Sequence, residues 1–249
     1  MERLNGKIAL ITGGVSGIGL ATARLFHEQG ARLAVTGRDR DSLSRAQEEF
    51  GNDVLVARSD AGKLSEIESL IGQVKERFGR LDVLFVNAAI AKPAPFVFVT
   101  EEQFDETVGI NLKGVFFTIQ KALPLFTHGG SIIVTTSIAN QMGSPNFSVY
   151  SASKAALRSL VQTLGLELIA KGIRINAISP GPISTPMFDR FGLPDDMVQG
   201  IKGEIERKSP IKRFGTPTEV AKAALFLATD ESSYIVGDEL VIDGGMSLL

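Results

Sequence analysis

Tyr150 and Lys154 stand four residues apart in Tyr150-Ser151-Ala152-Ser153-Lys154, and Ser137 precedes the tyrosine by thirteen residues. On a helix, positions i and i+4 share one face, so this spacing sets a phenol beside an ammonium. A phenol with a pKa of about 10 exchanges protons poorly at neutral pH. A fixed cation beside it favours the phenolate, and the pair becomes a proton shuttle. Composition points the same way: the chain has 15 Phe but only two Tyr, Tyr150 and Tyr234. Where a bare ring suffices the chain mostly uses Phe, so the Tyr150 hydroxyl has a purpose of its own. Tyr234 is read as structural.

Such a pair needs a scaffold. Short apolar segments rich in Val, Ile and Leu occur at Lys7–Thr12, Arg32–Thr36, Asp53–Ala57, Val83–Asn87, Ser131–Thr136, Arg174–Ser179 and Glu239–Ile242. They lack strict alternation, the pattern of strands buried on both faces. Helical stretches lie between them, at Gly17–Gln29, Leu64–Phe78, Glu101–Phe126, Val149–Ala170 and Thr216–Ala228, several ending at a glycine. This alternation implies an α/β fold, a single Rossmann-type doubly wound domain over residues 1–249. Its sheet would have about seven parallel strands with helices on both faces. Ligands bind such sheets at the carboxyl ends of the strands.

One segment interrupts the rhythm. Pro180, Pro182, Pro186, Pro194, Pro210 and Pro217 fall within it, with the apolar Met187, Phe188, Phe191 and Leu193. Long insertions of this kind are usually functional or mobile. We read a substrate lid at residues 182–215 holding short helices, with a packing excursion or oligomer contact as the alternative.

Thr12-Gly13-Gly14-Val15-Ser16-Gly17-Ile18-Gly19 follows the first strand and opens a helix. Glycines let backbone approach a pyrophosphate, and the helix end offers unpaired N–H groups and a positive dipole. Gly13, Ser16, Gly17, Ile18 and Gly19 are therefore candidate cofactor-binding residues, although the spacing is Gly-x-x-x-Gly-x-Gly rather than Gly-x-Gly-x-x-Gly. The end of the second strand decides the cofactor. Gly37 removes bulk there and Arg38 offers a bidentate guanidinium for a 2′-phosphate, which favours NADP(H). Asp39 keeps NAD(H) open, although Asp39-Arg40-Asp41-Ser42 also looks like a helix N-cap. Asp60, beside Ala61, could accept from an adenine amino group or serve only as a turn residue.

Other function classes recede. A net charge of −2 gives no footprint for nucleic acid or an anionic membrane. Cysteine is absent, and the two histidines, His27 and His128, are far apart, so no metal site is expected. The N-terminus lacks a leader-like apolar stretch, and no apolar run reaches the roughly eighteen residues that span a bilayer. A cytoplasmic protein acting on a small molecule is the expectation.

Together these pieces resemble the short-chain dehydrogenase/reductase family, in its short-subunit branch, over essentially the whole chain. Thr12-Gly13-x-x-x-Gly17-Ile18-Gly19 is similar to its cofactor turn, and Asn87-Ala88-Ala89 to its Asn-Ala-Gly motif after the fourth strand. Asn111, Ser137, Tyr150 and Lys154 match its catalytic positions. Pro180, Gly181, Ile183 and Thr185 match the segment over the nicotinamide, and Asp243-Gly244-Gly245 its C-terminal signature. Ala89 departs from the family's usual glycine. The resemblance implies that Tyr150 exchanges a proton at the substrate oxygen and that Lys154 lowers its pKa and binds the nicotinamide ribose. It implies that Ser137 hydrogen-bonds the carbonyl or alkoxide and that Asn111 holds a water linking Lys154 to solvent. No metal is required. It also implies a homotetramer, with Glu101–Phe126 and Val149–Ala170 at one interface and the apolar Met246–Leu249 at another.

The substrate pocket is read between Ile138, Ala139, Gln141, Met142 and Phe147 on one side and Met187, Phe188 and Phe191 on the other, with Phe96 and Phe98 as further candidates. Mostly apolar walls suit a hydrophobic ketone or secondary alcohol. The leading reading is thus an NADP(H)-dependent oxidoreductase acting on CH–OH groups. A 3-oxoacyl-thioester reductase, a non-catalytic dinucleotide sensor, and an isomerisation or dehydration on the same fold are the alternatives.

Overall fold

The first strand, β1 (Ile8–Thr12), is buried along its whole length. Its side chains alternate between two cores: Ile8 and Leu10 pack on one face of the sheet, Ala9 and Ile11 on the other. Such two-sided burial dictates an apolar sequence without polar alternation. The computed structural model describes residues 2–187, 191 and 194–249. The remaining strands are β2 (Arg32–Gly37), β3 (Leu55–Arg58), β4 (Val83–Val86), β5 (Gly130–Thr135), β6 (Ile173–Pro180) and β7 (Glu239–Ile242). They form one seven-stranded sheet in the order β3-β2-β1-β4-β5-β6-β7, and each neighbouring pair is parallel.

Helices cover both faces. α1 (Gly17–Glu28), α2 (Arg40–Phe50) and α8 (Pro217–Ala228) bury Phe26, Ala46 and Val220 in one core. α3 (Leu64–Phe78), α5 (Val115–Ala122) and α6 (Ser148–Leu168) bury Leu70, Ile119 and Leu157 in the other. Each fully buried Leu, Ile or Phe contributes about 1.5–3 kcal/mol, enough for these faces to set helix orientation. α2 was legible only as the cap at its start: Asp39 accepts from the Ser42 amide at 2.8 Å.

The single helix expected over Glu101–Phe126 is interrupted. α4 (Glu101–Val108) passes into a π-helical turn, Gly109–Gly114, before α5, and Leu123–Leu125 is a 3₁₀ turn around Pro124. The widened turn has local causes. Asn111 within it is fully buried and tied to a neighbouring loop. A Cβ on Gly114 would stand 2.1 Å from the Ala61 carbonyl oxygen, so backbone meets backbone there and only glycine fits.

The proline-rich excursion is pinned at both ends. Ser184 N donates to the Gly215 carbonyl at 2.9 Å, and Gly215 N to the Pro182 carbonyl at 3.0 Å. Between these points runs α7 (Asp195–Lys208), one helix of 14 residues where short ones were expected. Phe188 and Leu193 lie outside the described residues. Among the described residues no helix is long and apolar enough to cross a membrane.

Candidate active site

β1 has β2 on one side and β4 on the other, so the chain departs in opposite directions from this point and a crevice opens at the strand ends. A cleft of about 740 Å³ fills it. Gly13, Ser16, Gly17, Ile18, Gly37, Arg38, Asp60, Ala61, Asn87, Ala88 and Thr185, all singled out in the sequence, line this cleft. Gly19, Pro180, Gly181 and Ile183 are not among its lining residues. Gly19 serves from behind: a Cβ there would stand 2.2 Å from the Gly13 carbonyl oxygen, so its absence lets α1 sit directly on the turn. Gly181 N donates to the Ile242 carbonyl at 2.9 Å, and Ile183 is buried at the base of the excursion.

The cleft offers an anion a seat. α1 begins without a side-chain cap and has no acidic residue in its first turn. Its amides and dipole therefore remain available at Ser16 and Gly17. By contrast, α4 and α8 both carry capping boxes, from Thr100 and Thr216. Asn87 stiffens the opposite wall, donating from Nδ2 to the Thr12 carbonyl at 3.2 Å, while its backbone N–H donates to Thr12 Oγ1 at 3.0 Å.

At the far end of the cleft Arg38 Nη1 lies 3.9 Å from Asp60 Oδ1. Asp60 Oδ1 also accepts from Gly62 N at 2.9 Å, so its turn role is present as well. The Asp39 carboxylate is drawn into its cap, accepting from Ser42 N at 2.8 Å and Ser42 Oγ at 2.6 Å. Arg45, which the sequence reading missed, also lines the cleft, and its Nη2 donates to Ser42 Oγ at 3.1 Å. Its signal was the i, i+3 spacing from Ser42, which becomes visible once α2 is placed. Lys92 and Glu106, paired with each other, line the cleft and were missed too.

The four residues of the expected catalytic group are not among the cleft's lining residues; Ser137, Tyr150 and Lys154 come together beside it, and Asn111 meets the same helix at Ser153. Lys154 is buried, and its Nζ donates to the Thr135 carbonyl at 2.7 Å. Thr135 Oγ1 in turn donates to Asn87 Oδ1 at 3.4 Å, on the cleft wall. Tyr150 is half-buried, with Lys154 Nζ 5.6 Å from its ring centre. Ser137 hydrogen-bonds the Tyr150 phenol, and Ser137 Oγ accepts from Ala139 N at 3.2 Å. Asn111 spends its amide on Ile90: Nδ2 donates to the Ile90 carbonyl at 2.9 Å and Oδ1 accepts from Ile90 N at 2.9 Å. Nδ2 also reaches Ser153 Oγ at 3.3 Å. Any water at Asn111 would therefore have to use its backbone carbonyl rather than its side chain.

The titration directions differ in part from the sequence expectation. Burial pushes the Tyr150 phenol up, and the Ser137 hydrogen bond only partly opposes it. Burial pushes the Lys154 ammonium down to about 7. In the protein alone, desolvation outweighs the favourable charge pairing that the i, i+4 spacing suggests.

The wall residues divide. Phe147 meets Tyr150 edge-on with ring centres 6.0 Å apart, and meets Phe191 of the excursion at 5.8 Å. Met187 lines the cleft. Ile138 and Ala139 form a 3₁₀ turn directly after Ser137, but neither they nor Gln141 and Met142 line the cleft. Phe96 and Phe98, the further candidates, are 80% and 72% exposed on a surface turn. Tyr234 is fully exposed and packs no core.

A doubly wound sheet with a glycine-lined cleft at its strand ends and an adjoining Ser-Tyr-Lys group defines a nicotinamide-dependent oxidoreductase class. A family model described as enoyl-(acyl carrier protein) reductase matches residues 13–247. The oxidoreductase asL5 of Sarocladium schorii is 40% identical over 250 residues, covering 99% of this chain and 98% of that protein. The 3-oxoacyl-[acyl-carrier-protein] reductase FabG of Thermotoga maritima is 38% identical over 249 residues, covering 98% of this chain and 99% of its own. Among solved structures, the short-chain dehydrogenase/reductase SDR:glucose/ribitol dehydrogenase of Brucella melitensis superposes with a TM-score of 0.91 at 32% identity, with 98% of each chain covered. The chain belongs to the short-chain dehydrogenase/reductase family. It is an oxidoreductase of carbonyl and CH–OH groups that works with a nicotinamide cofactor.

Proposed function

We propose that this protein is an NADPH-dependent reductase of apolar ketones, with Tyr150 as its proton donor. The observation that carries the reading is the junction of Ser137, Tyr150 and Lys154 at one end of a cleft whose other end holds Arg38 and Arg45. Gly13, Ser16 and Gly17 would hold the cofactor's pyrophosphate, and Arg38 and Arg45 its 2′-phosphate. Asp39, committed to its cap, is a poor ribose ligand. When bound, the reduced nicotinamide supplies the hydride.

The protein's own groups do the rest. Ser137 Oγ accepts from Ala139 N, and its hydroxyl, which meets the Tyr150 phenol in the protein alone, would turn to the substrate oxygen as charge develops there. Tyr150, held protonated by burial, delivers the proton to that oxygen. Lys154, buried and anchored on Thr135, fixes the electrostatics of the phenol through space. The edge-on contacts of Phe147 with Tyr150 and Phe191 support an apolar substrate end.

A second reading, reduction of a 3-oxoacyl thioester, is supported by the name of the Thermotoga maritima relative. We also propose a homotetramer. The apolar groove of Leu112, Phe116, Phe117 and Leu160 between the π-turn, α5 and α6, and the exposed Leu248 and Leu249, support buried interfaces there.

A panel of apolar ketones, 3-oxoacyl thioesters and polyols, followed by nicotinamide absorbance with NADPH and NADH, tests the proposal. Fastest oxidation of NADPH by an apolar ketone is expected. Preference for the thioesters would transfer the case to the second reading, and no oxidation of either cofactor would overturn both.

A further inference from the structure

Glu239 opens the edge strand β7, yet its side chain is only 6% exposed. A carboxylate buried to this degree requires partners. Its partners converge on the turn that carries Ser137. Thr136 Oγ1 and Asn140 Nδ2 both donate to Glu239 Oε1, the latter at 2.7 Å. Thr136 Oγ1 also lies 2.9 Å from the Ile178 carbonyl, so its one hydroxyl proton is shared between that oxygen and the carboxylate, while Asn140 Nδ2 is committed to the carboxylate. Asn140 N closes the turn on the Ser137 carbonyl at 2.9 Å. The other end of the Asn140 amide, Oδ1, is buried without a hydrogen-bond partner among the described residues, so the carboxylate sets its orientation. Glu239 Oε2 faces Arg158 Nε at 3.5 Å. Arg158 lies on α6, one turn beyond Lys154 and two beyond Tyr150.

We infer that Glu239 is a positioning residue for Ser137: it grips the residues flanking the Ser137 turn and ties them, through Arg158, to the helix that carries Tyr150 and Lys154. The inference rests on the role proposed above for Ser137. Glu239 reaches neither cleft nor substrate. It acts by fixing the distance between the Ser137 hydroxyl and the Tyr150 phenol, where displacement of an ångström can cost about 10²-fold in rate.

The test compares Glu239→Ala and Glu239→Gln with the wild-type enzyme on its best substrate from the panel. Glu239→Ala should lower kcat by about tenfold or more while NADPH Kd stays within about twofold, because only the reacting geometry is disturbed. Glu239→Gln keeps an acceptor for Asn140 and Thr136 and should restore most of kcat. Where Glu239→Ala does not fold, Asn140→Ala releases one side of the grip and should show the same split. A readout independent of turnover uses Tyr234→Phe as background, leaving Tyr150 the sole tyrosine. The Tyr150 ring resonance in Glu239→Ala should move toward its position in Ser137→Ala. Wild-type kcat in Glu239→Ala, loss of kcat only in step with loss of Tm and NADPH binding, or an unmoved Tyr150 resonance would overturn the inference. If the wild type turns over nothing on the panel, the proposed function fails, and the resonance still decides the place of Glu239.

Discussion

Lys154 Nζ lies 5.6 Å from the centre of the Tyr150 ring, yet its 2.7 Å hydrogen bond goes to the Thr135 carbonyl. The cation therefore acts on the phenol through space and not by direct contact. Both groups are desolvated, and each is pushed toward its neutral form: the phenol up, the ammonium down to about 7.

Burial of Lys154 has a stability consequence with a definite sign. From about pH 7 to its ordinary value of 10.5, the unfolded chain carries a proton on this lysine that the folded protein lacks. Stability rises with pH across that window, and the deficit is complete below about 7. Lys154→Met should therefore raise the Tm of the cofactor-free protein, most strongly below about pH 7 and least near 10.5. Turnover should fall by about 10²-fold or more. Thermal unfolding across pH and steady-state rates check the two halves.

The raised phenol makes the two reaction directions diverge with pH. Reduction needs protonated Tyr150 and should hold its rate through neutral pH, falling only in the alkaline range. Oxidation needs the phenolate and should climb as pH rises. Profiles of kcat/KM in both directions test this, and an oxidation rate that peaks in acid would contradict it.

Arg38→Leu should raise KM for NADPH by about 10–100-fold, the loss of a charge-assisted hydrogen bond worth about 1.5–3 kcal/mol, and leave KM for NADH nearly unchanged. Arg45→Met should act in the same sense and more weakly, since Arg45 also spends a donor on Ser42. Cofactor titrations of the two variants separate this from a general loss of binding.

Asn111 and Ser137 should part company in stability. Asn111→Ala leaves the Ile90 N–H and carbonyl without their side-chain partner in a part-buried loop and should lower stability by about 1–3 kcal/mol in all. Ser137→Ala removes a hydroxyl whose protein partners are Ala139 N and the phenol and should leave Tm nearly intact while kcat drops by about 10²–10³-fold. Denaturant unfolding of both variants measures the contrast.

The strands were legible because burial on both faces writes Val, Ile and Leu into adjacent positions, and all seven appear within two residues of their expected ends. The approach of Ser137, Tyr150 and Lys154 was legible because their spacings are local consequences of one helix and one strand end. What stayed hidden depends on tertiary approach. The π-turn at Gly109–Gly114 arises where Asn111 meets Ile90 and Gly114 meets Ala61, neither close in sequence. Arg45 was hidden because α2 has an overall polar sequence and showed only its cap. The direction of the Tyr150 shift depends on how deeply the ring is desolvated, which no spacing encodes.

The central claim is that Tyr150 delivers the proton in a nicotinamide-dependent carbonyl reduction. Tyr150→Phe removes one oxygen and keeps the ring that Phe147 packs against. Its NADPH-dependent turnover of the best ketone should fall by at least about 10²-fold while NADPH binds with wild-type affinity. Turnover within a few-fold of wild type in that variant would contradict the account.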